Sequence, residues 1–242
     1  MNKFKVQCQK ATFKVFKAED NAGQGVLIPG GYILTAAHCV RFELDGSMAT
    51  DHHSLIKVES AGGQRFTLSP LSIEPVSDIA VLGPPDGQVF PEEYISFIRY
   101  SSTLSPIPIC SGDWPENEEK PVYIFTHHAK WITAKAWHSA GDERRLILSG
   151  SSKKRIEGGT SGSPILCDTG ELVAIVSNSG SQGSANSEEN IWHGTAPRPL
   201  LALPMWIVRR IETATNTCLT TDRRLHRSPE MLRPCSLKRA GS

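Results

Sequence analysis

Apolar residues in this chain come in short bursts, and nearly every burst is cut off by Gly, Pro, Asp or Ser. The segments GVLIP, GYILTAA, SLIKVES, QRFTLSPLSIEPV, DIAVLG, PVYIFTHH, KWITAKAWH, RRLILSG, SPILCD, ELVAIVSNS and IWHGTAP are rich in Val, Ile, Thr and Phe. β-Branched and aromatic side chains suit a pleated surface, and turn residues at this frequency leave little room for helices. Many short strands joined by tight turns predict an all-β protein of antiparallel sheet, closed as a barrel or stacked as a sandwich.

The amino terminus, MNKFKVQCQKATFKVFKAED, alternates lysine with apolar residues and reads as a first strand, without the apolar core and cleavage site of a secretory signal. The polar, turn-rich SGDWPENEEK divides two β units, giving a first unit over 1–110 and a second over 111–202. In the remaining stretch, 203–242, Leu203, Trp206, Ile207 and Ile211 recur at helical spacing, with Arg209, Arg210 and Glu212 largely opposite and Pro204 in the first turn. A short amphipathic helix is expected there, followed by a loosely attached basic tail; the alternative is that the tail docks a regulatory protein partner of acidic character.

An apolar fraction of 39% over 242 residues supports a real core, and a formal net charge of +1 gives no bulk attraction to nucleic acid or anionic lipid. No apolar run reaches membrane-spanning length. The expectation is therefore a cytoplasmic protein with no nucleic-acid or membrane partner. The six cysteines include no CxxC pair, so a zinc site is not expected and reduced, mostly buried thiols are. His52-His53 and His127-His128 are read as exposed polar residues, because neighbours on a strand point to opposite faces and do not chelate together. No metal or organic cofactor is expected.

Three motifs carry chemistry: His38 in ILTAAHCV, Asp78 in VSDIAVL and Ser161 in EGGTSGSPIL. Serine nucleophilic catalysis needs a hydroxyl, a base in hydrogen-bond reach, a group that fixes the base, and donors for the developing oxyanion. The nucleophile elbow of α/β-hydrolases does not fit, since it requires glycine where this chain has Ser163. A phosphate-binding loop does not fit either, because GSSKKR lacks the second glycine before lysine.

Together the motifs resemble those of the chymotrypsin-like serine proteases: T-A-A-H-C, D-I-x-x-L and G-x-S-G-G-P in the order His, Asp, Ser. The resemblance covers roughly 20–210 and is closest to the compact bacterial, trypsin-like branch. It implies two antiparallel β-barrels with a short carboxy-terminal helix, the first barrel carrying His38 and Asp78 and the second Ser161. It further implies a serine endopeptidase acting through an acyl-enzyme on protein or peptide bound as an extended strand. Gly159 and Ser161 would supply the oxyanion-hole amides, and glycine at 159 would permit the backbone geometry this needs. Ser177 would support Asp78, and Ser177, Asn178 and Ser179 would line the cleft.

The chain departs from the family in several places. Thr160 stands where activated members carry an aspartate that pairs with a freshly cut amino terminus, so no such processing is expected. Gly23 replaces the usual disulfide partner of Cys39, and the mate of Cys167 is replaced near Pro121 and Val122; Cys110 falls near another family cysteine that bonds an amino-terminal segment, so the resemblance allows a Cys8–Cys110 bridge. Arg155, Ile156 and Gly158 would form the specificity pocket, faced by His193; Arg155 favours acidic side chains, Glu157 would invite basic ones, and Val176 weakens the acidic case. Side-chain preference stays open. The rival reading is a catalytically silent binding module that keeps the cleft, or a protease held inactive until a partner engages it.

Overall fold

The computed structural model describes 3–17, 20–40, 55–110, 118–139, 142–151, 158–177, 189–195, 209, 211 and 213. Strands β1 (Thr12–Lys17), β2 (Asp20–Ile28), β3 (Tyr32–Thr35), β4 (Ile56–Ser60), β5 (Arg65–Glu74) and β6 (Ile79–Gly83) form one closed antiparallel barrel, ordered β1-β2-β3-β6-β5-β4. Strands β7 (Lys120–Phe125), β8 (Trp131–Ser139), β9 (Asp142–Ser151), β10 (Pro164–Leu166), β11 (Leu172–Val176) and β12 (Glu189–Thr195) form a second, ordered β10-β11-β12-β9-β8-β7. The all-β, two-barrel architecture expected from the motifs is present.

Alternation decides which face of a strand is buried. In β1, Phe13 and Val15 are fully buried while Lys14 and Lys17 point to water. Lys14 is paired across the sheet with Glu59, and their 2.9 Å ion pair is joined by Arg65 at 3.2 Å, so Glu59 is held below its usual carboxylate range by Lys14 and then Arg65. Strands β6 and β11 break the alternation, since every residue in each is buried. Asp78 immediately precedes β6 and Ser177 immediately follows β11, so each carries one end of the site described below.

The amino terminus differs from expectation. Lys3–Ala11 is a helix, α1, and only the following Thr12–Lys17 is strand. Phe4, Val6 and Cys8 satisfy a period of two, but Cys8 and Ala11 lie three apart and both are buried, which is a helix face. Docking settles the choice. Phe4 packs against Tyr123 and Trp131 of the second barrel at centroid distances of 5.7 and 6.5 Å, and Gln7 Nε2 donates to the Pro106 carbonyl at 2.9 Å.

A second helix, α2 (Pro91–Ser101), lies between the last strand of the first barrel and the connection to the second, in a stretch the strand pattern left unassigned. Pro91 starts it, Glu92 and Glu93 sit at its positive end and Arg99 at its negative end. Phe97 is its buried anchor, in edge contact with Phe13 and Phe66. After α2 the chain runs back along β11, where Cys110 N–H donates to the Leu172 carbonyl and Leu172 N–H to that of Pro108. Arg209, Ile211 and Thr213 have helical backbone, and Ile211 is buried in a core cluster to which both barrels contribute; the rest of the expected terminal helix and the tail lie outside the described residues.

Cys8, Cys39, Cys110 and Cys167 are all free thiols, so the Cys8–Cys110 bridge is not formed. Burial pushes the Cys8 thiol up to about 12, beside a weak contact with the Thr12 hydroxyl. Among the described residues no helix is long and apolar enough to cross a membrane.

Candidate active site

The segment after β3 folds into a single 3₁₀ turn, Ala37–Cys39, closed by Cys39 N–H to Ala36 O and Val40 N–H to Ala37 O at 3.0 Å each. Ala36, Ala37 and Cys39 are buried, and small side chains let the turn lie flat on the barrel. His38 between them is pushed outward and stays 43% exposed.

Asp78 closes the turn between β5 and β6. The Glu74 carboxylate accepts from the amides of Val76 and Ser77 at 3.0 and 2.7 Å, and Asp78 N–H reaches the Pro75 carbonyl at 3.2 Å. Asp78 itself has φ of +52°, a left-handed conformation that aspartate tolerates better than most residues. It aims the carboxylate back at the 3₁₀ turn. Oδ1 accepts the His38 amide at 3.0 Å, His38 Nδ1 lies 3.0 Å from Oδ1 and 2.9 Å from Oδ2, and the Ser177 hydroxyl donates to Oδ2.

Electrostatics follow from this clasp. Its hydrogen bond with Asp78 first, and the neighbouring Cys39 thiol second, push His38 up to about 10. Burial alone would raise Asp78, but hydrogen bonds from the His38 ring, the Ser177 hydroxyl and the His38 amide outweigh it and hold the carboxyl below its usual range. Nδ1 is committed to Asp78. Nε2 is therefore the nitrogen left for a reacting group.

Ser161 sits in a turn bounded by two glycines with left-handed backbone, Gly159 at φ +88° and Gly162 at φ +77°. Gly162 N–H donates to the Val176 carbonyl at 2.7 Å and Val176 N–H to the Ser163 carbonyl at 2.9 Å, which fixes the turn to the end of β11 just before Ser177. On its other side, the Ser161 carbonyl accepts the Gln24 amide of β2 at 2.7 Å. A Cβ on Gly23 would lie 2.5 Å from both Cys39 Sγ and the Ser161 carbonyl oxygen. The residue after His38 and the backbone of Ser161 are thus immediate neighbours, and contacts run in a closed ring from His38 through Asp78, Ser177, Val176, Gly162, Ser161 and Gly23 to Cys39.

Gln24 was not legible as part of this junction. Its side chain is 4% exposed and its Oε1 accepts from the Ser163 hydroxyl at 2.6 Å, while its carbonyl accepts from the Thr35 hydroxyl at 2.6 Å. Ser163 occupies the third glycine of the G-x-S-G-G-P pattern, and its hydroxyl has a buried partner across the barrels. The junction is also close-packed: a Cβ on Gly162 would lie 1.9 Å from the Gln24 carbonyl oxygen and 2.6 Å from Thr35 Oγ1, at a φ that side chains rarely adopt. Gly162→Ala is expected to destabilise the protein by about 3 kcal/mol or more through backbone strain and a clash no rotamer relieves. Denaturant unfolding checks this; a loss under about 1 kcal/mol would contradict the packing.

Of the other expected site residues, Gly158 is exposed with open space where a side chain would be, and His193 lies on β12 opposite Ile147 of β9. Arg155, Ile156, Glu157, Asn178 and Ser179 lie outside the described residues, as do His52 and His53. His127 departs from the exposed polar reading: it is half-buried in the turn after β7, with Nδ1 2.8 Å from the Thr160 hydroxyl.

A cluster of three groups with ligand atoms was also invisible in the spacing. Ligand atoms of Cys110, Cys167 and Glu171 lie within 4.8 Å of one another, contributed by the inter-barrel connection and the hairpin between β10 and β11. Its hydrogen bond with Cys110 pulls the Cys167 thiol down to about 5. This set is separate from the ring of contacts around Ser161.

The description "Trypsin-like peptidase domain" matches the chain over residues 23–175, a span that contains His38, Asp78 and Ser161. No curated protein matches in sequence. Solved structures do match in fold. The Rv3671c protease from M. tuberculosis in its active form superposes with a TM-score of 0.54 at 17% identity, covering 84% of this chain and 83% of that one. Kallikrein-related peptidase 10 gives 0.52 at 11% identity, over 90% of this chain and 96% of that one. The serine endoprotease from Yersinia pestis gives 0.53 at 17% over 78% of this chain, which spans 60% of the Yersinia protein.

Proposed function

The chain belongs to the trypsin-like peptidase domain family, and from that premise we propose that it is a serine endopeptidase in which His38, Asp78 and Ser161 act as the catalytic triad. What carries this reading is the Asp78 carboxylate, clasped by the His38 ring, the His38 amide and the Ser177 hydroxyl, and so unable to do anything but hold and polarise that imidazole.

Ser161 Oγ attacks the scissile carbonyl carbon while His38 Nε2 takes its proton, and Asp78 stabilises the imidazolium that results. The carbonyl oxygen gains a full negative charge, which the amides of Gly159 and Ser161 receive. The C–N bond then breaks as the imidazolium returns its proton to the departing amine. Water enters in the amine's place, gives its proton to His38 and releases the acyl group from Ser161. The substrate is protein or peptide, added as an extended strand alongside the segment that continues from Ser177. Four unbridged cysteines support a reducing compartment such as the cytoplasm as its place of work.

Cleavage-site profiling on a denatured proteome tests the reading. New amino termini are expected with the native protein; they should persist in excess chelator and vanish after treatment with a serine-directed phosphonate. No cleavage by folded protein would favour the silent binding module, and cleavage lost to chelator alone would overturn the proposed chemistry.

A further inference from the structure

The proposed oxyanion pocket depends on the turn that leads into Ser161. Ser163 N–H closes it on the Thr160 carbonyl at 3.0 Å, but Gly159 has φ of +88°, which glycine adopts freely in many loops, and a side chain at Gly158 would meet nothing within 4 Å. Downstream the turn is fixed by the bonds of Gly162 and Ser163 to Val176. Upstream of Ser161, among the described residues, a group from the turn after β7 reaches Thr160.

That group is His127. Its Nδ1 lies 2.8 Å from Thr160 Oγ1, and Thr160, fully buried, joins Gly159 to Ser161. The ring also stands beside the Gly159 turn: a Cβ on Gly159 would lie 3.4 Å from Cδ2 and 3.5 Å from Cγ of His127. His127 is itself fixed in the tight turn after β7, where Ala129 N–H donates to the Thr126 carbonyl and Thr126 N–H to that of Lys130, at 2.9 Å each. The His128 ring packs beside it, centroids 3.7 Å apart and planes tilted by 41°. One side chain thus reaches the turn twice, by a hydrogen bond to the residue before Ser161 and by a ring placed where a side chain on the residue before that would meet it.

We infer that His127 is a positioning residue: through Thr160 it sets the orientation of the Gly159 amide at which the oxyanion forms. The inference rests on the serine-protease reading and adds to it the device that organises the pocket. In this chain an uncharged hydroxyl and an imidazole occupy the place where the family pairs an aspartate with a new amino terminus. The bond survives either charge state of the ring, because Thr160 donates to a bare Nδ1 and accepts from a protonated one.

The test uses the full chain. His127→Phe keeps the ring and removes its nitrogens; Thr160→Val keeps the buried shape and removes the hydroxyl. Each is expected to lower kcat by roughly 10- to 100-fold, part of the hundred- to thousand-fold loss that follows removal of a whole oxyanion donor. KM should stay within about twofold, and affinity for a peptide boronate, which forms a tetrahedral adduct, should fall in step with kcat. The double variant should be no worse than either single one, and His127→Asn and Thr160→Ser, which restore the bond, should recover most of the loss.

Unchanged kcat in His127→Phe and Thr160→Val, losses confined to KM, or losses that multiply in the double variant would each overturn the inference. In those cases the native protein still cleaves substrate and the serine-protease reading stands. If the native protein neither cleaves peptide nor binds the boronate, that reading falls and takes this one with it.

Discussion

Replacing Ser161 with alanine is expected to lower turnover by about 10⁵- to 10⁶-fold while leaving the fold untouched. The size follows from the role, since removing the nucleophile of a triad costs about as much as removing all its members together. The indifference of the fold follows from the bonds the residue makes. The described structural contact of Ser161 is through its carbonyl, which accepts the Gln24 amide, and alanine keeps that carbonyl. Residual activity of about 10³-fold over water should remain from the oxyanion amides and binding. Single-turnover hydrolysis of an activated ester, with thermal unfolding alongside, measures both. A loss of only about tenfold would assign the nucleophile elsewhere.

Asp78→Asn should come next, with turnover down by about 10⁴-fold, because an amide favours the wrong imidazole tautomer and cannot stabilise the imidazolium. Its pH signature is more specific than its size. With Asp78 ionised, His38 is held near 10, so kcat/KM should climb with pH along a limb well above the 6.5 of ordinary imidazole. In the variant that limb should fall back toward 6.5. Stability is linked to the same pair. His38 is raised in the folded state, so its contribution is complete below pH 6.5 and fades as pH rises toward 10. Asp78 is lowered, so its contribution is complete above its usual 3.8 and fades as pH falls through its folded-state value. The melting difference between native protein and variant should peak between those limits. A limb that does not move in Asp78→Asn would remove Asp78 from the mechanism.

Segments whose pattern reports local physics were legible. TFKVFK alternates because one face of β1 is core and the other is water, and TAAHC places small residues where a tight turn must lie against a barrel. Segments decided by distant partners were not. Lys3–Ala11 carries both a strand period and a helix period, and the choice is made by Phe4 docking on Tyr123 and Trp131. Pro91 and two acidic residues signalled a helix start, but Ile95 and Ile98 remain 45% and 39% exposed, so α2 lacks the clean apolar stripe that would have announced it.

The site divides in the same way. His38, Asp78 and Ser177 were nameable because each sits in a local motif, and the clasp among them is what those motifs require. Gln24 and Gly23 look ordinary in β2, since what makes them matter is the backbone of Ser161 and the hydroxyl of Ser163 pressed against them from the other barrel. His127 is not legible because alternation on a strand sends neighbouring histidines to opposite faces, whereas 127 and 128 occupy a turn in which their rings meet. Cys110, Cys167 and Glu171 meet only once the connection between barrels is laid along β11.

Everything depends on the Ser161 hydroxyl being the group that His38 activates. Mass spectrometry of the folded protein after reaction with a serine-directed phosphonate reads this out at a single residue. One adduct per chain is expected, mapped to Ser161, formed fast in the native protein and at a small fraction of that rate in His38→Ala. An adduct on another residue, or none on folded native protein, would contradict the account.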